Sequence, residues 1–196
     1  MERRRPLPIY RPDTREEPAM PDDAPAHDGA ATGAAPIHPG ARIGHVHLKV
    51  ADLDRALRFW RDVIGLEEQQ RMGDRAVFLS AGGYHHHIAL NTWESAGGSP
   101  PPPGATGLYH VALLYPDRPS LARALRRVLD AGIELEGASD HGVSEALYLR
   151  DPDGNGVELY RDRDRAEWPR DERGGLAMVT RRLDLRALLA EAPAAG

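Results

Sequence analysis

Two histidines and a glutamate occupy matching strand positions in this chain, and together they make a donor set for a divalent metal. His45 opens the alternating run His45-Val46-His47-Leu48-Lys49-Val50, with Val46, Leu48 and Val50 on one face and His45, His47 and Lys49 on the other. His110 opens a second such run, His110 to Tyr115. Glu158 lies in Asp151-Pro152-Asp153-Gly154-Asn155-Gly156-Val157-Glu158-Leu159-Tyr160, a tight turn feeding a strand. Alternation along a strand points all three away from the neighbouring aliphatic residues. A single strand histidine is more often a hydrogen-bonded core or surface residue than a ligand. Three such residues related by a repeat are the two-imidazole, one-carboxylate set of a facial triad, which leaves open positions on iron for substrate and oxygen.

The elements that position them come in two similar sets. After the first strand, Asp52 stands where a helix N-cap belongs, Leu53, Ala56, Leu57, Trp60, Val63 and Ile64 follow at helical spacing, and Gly65 is placed as a stop. Short strands are predicted at Arg75–Ser80 and His85–Asn91. The pattern restarts at His110: Pro116-Asp117 leads to Leu121, Ala124, Leu125, Val128 and Leu129, ended by Gly132, with strands near Ile133–Leu135, Ala146–Arg150 and Gly156–Tyr160. His45 and His110 are 65 residues apart, Asp52 and Asp117 share that offset, and the final strands match at an offset of 69. One repeat cannot bury both faces of a sheet, so the fold class is α+β, two paired βαβββ modules forming one curved mixed sheet around a metal-binding cavity, helices outside.

The modules are placed at 41–95 and 108–162. Residues 1–40 carry eight prolines among charges and alanines without apolar periodicity, and read as a disordered or surface-draped arm. Residues 96–107, with Pro100-Pro101-Pro102-Pro103-Gly104, read as a linker or a loop over a cleft. Residues 163–196 form an extension in which Asp184 caps a short helix through Leu185, Leu188 and Leu189, covering an edge strand or a partner subunit.

Composition narrows the function classes. A net charge of −5 and a single lysine, Lys49, with no basic patch interleaved with aromatics, argue against nucleic acid as partner. Absence of cysteine excludes disulfides, thiolate metal sites and cysteine nucleophiles, so a metal must be held by nitrogen and oxygen. No apolar run approaches the roughly 18 residues of a membrane span. The opening Met1-Glu2-Arg3-Arg4-Arg5-Pro6 has no hydrophobic stretch behind its arginines, so the expected location is the cytoplasm. On the strand before Asn91, alternation puts His85 and His87 on the cavity face with Ala89, giving His87 a place as hydrogen-bond partner or proton relay. Asn91, Arg150 and His47 fall on the same face and are candidate substrate contacts.

Ile43-Gly44-His45-Val46-His47-Leu48-Lys49-Val50-Ala51-Asp52-Leu53, then Phe59-Trp60 and Gly65-Leu66, resembles the opening module of the vicinal oxygen chelate superfamily (glyoxalase, bleomycin resistance protein and extradiol dioxygenase). Leu108-Tyr109-His110-Val111 and Asp151 through Tyr160 resemble its second module, and small catechol 2,3-dioxygenase-like proteins are the most similar subgroup. The resemblance implies four metal positions, which here are His45, Ala89, His110 and Glu158. Glyoxalase I-like members use a carboxylate at the second position, where this chain has alanine; extradiol dioxygenases leave it empty. The resemblance further implies catalytic roles for Tyr148, one strand before the glutamate, and for His141 in the preceding loop. It implies one divalent metal per chain, iron(II) foremost and manganese(II), zinc(II), nickel(II) or cobalt(II) otherwise, with a small aromatic diol and dioxygen as substrates. One module pair, where larger extradiol enzymes have two, leaves the pocket either more open or completed by a second subunit, as in a homodimer. Two other readings stay open: different metal-assisted chemistry (isomerase, lyase, epimerase or thiol transferase), and a non-enzymatic small-molecule binding protein of the drug-resistance type.

Overall fold

Strand β1 (Val46–Lys49) carries the expected alternation into three dimensions: Leu48 and the following Val50 are buried, while His47 and Lys49 face out. The structure is a computed structural model that describes residues 35–192. The arm expected at 1–40 therefore lies almost wholly outside the described residues. Asp52 accepts a hydrogen bond from Arg55 N at 2.7 Å and starts helix α1 (Leu53–Leu57), which continues as a π-helical stretch, Arg58–Val63, to Gly65. Its buried stripe is Leu53, Ala56, Leu57, Trp60 and Ile64.

Three antiparallel strands follow. β2 (Glu67–Met72) was not legible in the sequence, because Glu-Glu-Gln-Gln-Arg-Met is exposed along its whole length and has no apolar face to alternate. It is an edge strand held by backbone pairing to β3 (Ala76–Ser80), with a bulge between Glu68 and Gln70. β4 (Ile88–Asn91) begins three residues later than expected. The Gly82-Gly83 turn throws residues 84–87 into a loop before the ladder forms.

The second module repeats this order: β5 (Val111–Leu114), α2 (Arg118–Asp130) capped by Asp117, β6 (Gly137–Asp140), β7 (Ser144–Arg150) and β8 (Gly156–Asp162). The strand expected at Ile133–Leu135 is instead a connector whose apolar side chains pack on the core, with β6 displaced beyond it. Register makes the repeat explicit: β1 pairs with β4 in parallel as Val46↔Ile88 and His47↔Ala89, and β5 with β8 as Val111↔Val157 and Ala112↔Glu158. Ala89 and Glu158 are thus equivalent positions.

The first sheet has strand order β1-β4-β3-β2 and the second β5-β8-β7-β6-β9, where β9 is Arg181–Arg182. The expected α+β fold of two paired βαβββ modules is present, its curved surface built from two mixed sheets, each with the first strand of its module at an edge, that share one apolar core with the helices rather than a hydrogen-bonded seam. Across that core the Asp151–Asn155 turn staples the modules. Asp151, 4% exposed, accepts from Trp60 Nε1 at 3.3 Å and from the backbone N–H groups of Asp153 and Asn155 at 2.9 and 2.8 Å. Asp153 accepts from Ala51 N and from Arg55 Nη2. Removing one partner of a buried, charge-assisted set leaves orphaned donors, so Asp151→Ala should lower stability by roughly 2–4 kcal/mol in urea denaturation; a change below about 1 kcal/mol would show that the staple is dispensable.

Helix α3 (Leu185–Ala190), capped by Asp184, buries Leu188, and its end is tied to α2 by an Arg118–Glu191 ion pair and by Arg126 Nη2 donating to Leu189 O. The extension thus pairs with an edge strand through β9 and covers a helix through α3. Among the described residues no helix is long and apolar enough to cross a membrane.

Candidate metal centre and proton relay

The second module brings four of the sequence-selected residues into one chain of contacts. Glu158 is opposite Tyr148 in the β7–β8 register, so both side chains leave the same face, away from the buried Leu147, Leu149, Val157 and Leu159. His110 reaches Glu158 because the chain before β5 crosses close over Gly156: a Cβ there would sit 2.0 Å from Tyr109 O and 3.0 Å from His110 Cβ. His110 Nε2 and Glu158 Oε2 are 2.9 Å apart. That is an ordinary length for an imidazole–carboxylate contact, and two cis ligands at about 2.1 Å from one octahedral ion would be separated by about the same, so the pair could take a metal with little movement. His110 Nδ1 is buried without a hydrogen-bond partner, which leaves Nε2 as the working edge of the ring.

Behind this pair runs a chain of polar contacts. Tyr148 Oη lies 3.3 Å from Glu158 Oε1 and 2.8 Å from His141 Nε2, and His141 Nδ1 lies 3.0 Å from the carbonyl of Val179. A carbonyl oxygen only accepts, so Nδ1 carries a proton and donates to it. Gly156→Ala should push the start of β5 and His110 off Glu158, and metal content by mass spectrometry should drop well below that of wild type at near-native helix and sheet content; full metal loading would sink this account of the close approach.

The first module holds its candidates on its own open face. His45 is exposed, with its ring 4.3 Å from that of His86. His47 Nε2 meets Asn91 Nδ2 at 2.8 Å; an amide NH₂ only donates, so His47 accepts there and is neutral. Burial, helped by the nearby His45, lowers the His47 pKa below that of an ordinary imidazole and so favours that state. Burial, again helped by His45, also lowers His86. Ala89, fully buried and paired with His47 across β1–β4, offers no ligand.

Three expectations change. The triad does not close within one chain: among the described residues no group of three or more metal-ligating side chains comes together, so His45 does not join His110 and Glu158. His87 does not face the cavity. Its Nδ1 accepts from Ala81 N at 3.3 Å and its ring stacks on Tyr84, because the loop breaks the alternation, and His86 packs against His45 and Phe78 instead. Arg150 is engaged at the sheet margin, donating to Glu136 Oε1 at 2.8 Å and to Gly154 O at 3.0 Å, rather than held open for a substrate. Val179 was missed altogether; only a fold could show it.

Comparison with known proteins settles the family. The model of the Glyoxalase/Bleomycin resistance protein/Dioxygenase superfamily matches residues 42–159. The chain belongs to this superfamily. Within it, the chain is similar to catechol-2,3-dioxygenase of Bacillus subtilis (strain 168), 44% identical over 156 residues, covering 80% of this chain and 54% of that protein. It is also similar to a manganese-dependent 2,3-dihydroxybiphenyl 1,2-dioxygenase of Geobacillus genomosp. 3, 30% identical, with 69% and 41% covered. This member of the superfamily thus spans about half the length of those relatives. Its fold matches the crystal structure of a glyoxalase/dioxygenase from Nostoc punctiforme with a TM-score of 0.54 at 21% identity, covering 67% of this chain and 99% of that one.

Proposed function

We propose that this protein is an extradiol, ring-cleaving dioxygenase of a small aromatic diol. The observation that carries the reading is the continuous contact chain from His110 through Glu158 and Tyr148 to His141, in a chain 44% identical to a catechol-2,3-dioxygenase. His110 and Glu158 are the ligands offered by the second module. A divalent ion held there, iron(II) or manganese(II), would supply a chelation point for two adjacent hydroxyl oxygens and a place for dioxygen. Both oxygen atoms enter the opened ring, so no external reductant is needed.

The protein's own part is to hold substrate and move protons. Tyr148 Oη stands beside Glu158, where a diol bound at that carboxylate would present its hydroxyl. A proton taken up at Oη passes to His141 Nε2, whose lone pair faces it. On the first module, His47, Asn91 and the half-exposed Trp93 line an open face suited to an aromatic ring. The alanine at position 89 supports ring cleavage over glyoxalase-like isomerisation, since it removes the carboxylate that such chemistry would use.

The third ligand, His45, comes from a second copy. His45 and His110 are repeat equivalents on separate open sheets, so a two-fold axis that lays one module's face on the partner's other module makes two identical sites. The surfaces such an axis would cover carry exposed Ile43, Trp93, Tyr109 and Leu114. Oxygen uptake by anaerobically purified, metal-analysed protein against a panel of catechols tests the reading. Stoichiometric metal with no uptake on any catechol would overturn the reaction, and metal-free protein would overturn the site.

A further inference from the structure

We infer that the C-terminal extension is a positioning element for His141: the Val179 carbonyl fixes the ring proton on Nδ1 and so aims the Nε2 lone pair at Tyr148. This rests on the relay reading above, and it concerns residues beyond the superfamily match, which ends at 159.

The contacts between the extension and the His141 loop are reciprocal. Val179 N donates to His141 O at 3.1 Å while His141 Nδ1 donates to Val179 O at 3.0 Å. The seam continues as β9 pairs with β6, Ser139↔Arg182 and Asp140↔Arg181, and as Leu183 N donates to Ala138 O. Gly142, at φ +74°, accepts close pressure from the extension; a Cβ there would lie 2.9 Å from Pro169 Cγ and 3.3 Å from Val179 Cγ2. The loop itself is braced. Asp140 accepts from Gly142 N at 2.9 Å and from Arg163 Nη2 at 2.7 Å. Both ends of the strap are anchored, at the start by Trp168 Nε1 donating to Arg163 O and at the finish by the buried Leu188 of α3.

The consequence follows from counting protons. When the ring holds a single N–H and gives it to Val179 O, Nε2 presents a lone pair, and the one proton of Tyr148 Oη goes to that nitrogen at 2.8 Å rather than to Glu158 Oε1 at 3.3 Å. Without the carbonyl, Nδ1 faces only the Thr180 hydroxyl at 3.4 Å, which can donate as well as accept, so the ring can hold its proton on Nε2 instead. The Tyr148 hydroxyl would then receive a hydrogen bond from His141 and turn its own proton toward Glu158, reversing the relay. The backbone of the extension therefore sets the direction of proton movement, in the way that a hydrogen bond behind a working histidine commonly does.

The test uses the full chain, loaded with zinc(II) to stay diamagnetic and labelled with nitrogen-15 histidine. His141→Gln assigns the His141 signals. Long-range proton–nitrogen correlation should show the wild-type ring as the Nδ1–H tautomer. Val179→Pro, which removes the N–H that ties the extension to His141 O, and separately one glycine inserted between Val179 and Thr180, should release the carbonyl from Nδ1, admit the Nε2–H form and lower kcat on a turned-over catechol by about 10- to 100-fold with KM little changed. Val179→Ala keeps the carbonyl and should retain both tautomer and rate. A wild-type ring in the Nε2–H form overturns the inference without any variant. So does an unchanged tautomer in both disrupted chains once amide exchange shows the strap released. Because the tautomer is read without catechol, failure of the dioxygenase reading would leave this result standing or fallen on its own.

Discussion

Mixing two inactive variants should restore activity. His45→Ala and Glu158→Ala each remove a ligand and should each lose metal and turnover. In a dimer whose sites take His45 from one copy and His110 with Glu158 from the other, a mixed dimer contains one site with all its ligands intact and one that lacks two. Random assortment makes half of the dimers mixed, so co-refolded or co-expressed variants should regain about one quarter of the wild-type metal and rate. The physical basis is that His110 and Glu158 meet at 2.9 Å while no third ligand joins them among the described residues. A triad closed within one chain predicts no recovery at all. Size-exclusion chromatography gives an independent reading, since a monomer at working concentration would remove the shared site outright.

Tyr148→Phe should separate chemistry from structure. The ring keeps its packing 5.9 Å from His110 and 6.3 Å from His141, while the hydroxyl contacts to Glu158 and His141 vanish. Each lost hydrogen bond costs about 0.5–1.5 kcal/mol of stability, so the urea midpoint should move modestly. Loss of general acid–base catalysis is typically about 100- to 10,000-fold, equivalent to about 3–5 kcal/mol of barrier, and that larger figure should appear in kcat. Metal content should stay at the wild-type level because Tyr148 is not a ligand. Wild-type turnover in the metal-loaded variant would take Tyr148 out of the mechanism and leave it as packing.

Much of this architecture is local, and local order is legible. Asp52 and Asp117 cap helices because a short carboxylate facing the first free N–H groups needs no tertiary partner. The alternation around His45, His110 and Glu158 sorted each side chain to a face because one face of each sheet is buried. The 65- and 69-residue offsets already contained the β1–β4 and β5–β8 registers, since equivalent modules pair equivalently. What escaped was whatever burial does not enforce. β2 is exposed throughout and is held to the sheet by its backbone pairing with β3. His87 was assigned to the cavity by extending alternation through a loop that follows a glycine turn, where a period of two has no force.

The amino-acid sequence by itself determined which residues are equivalent, which faces they leave and what chemistry their types allow. It could not determine distance between modules, because a repeat states correspondence and says nothing of how two copies of a unit are docked. That was decided by tertiary contacts remote in the chain. Asp151 takes the Trp60 indole N–H and Asp153 takes Arg55, which places the sheets over one core and leaves His45 apart from His110 and Glu158. The surroundings of His141 were decided the same way, by a backbone carbonyl 38 residues distant whose position no side-chain pattern encodes.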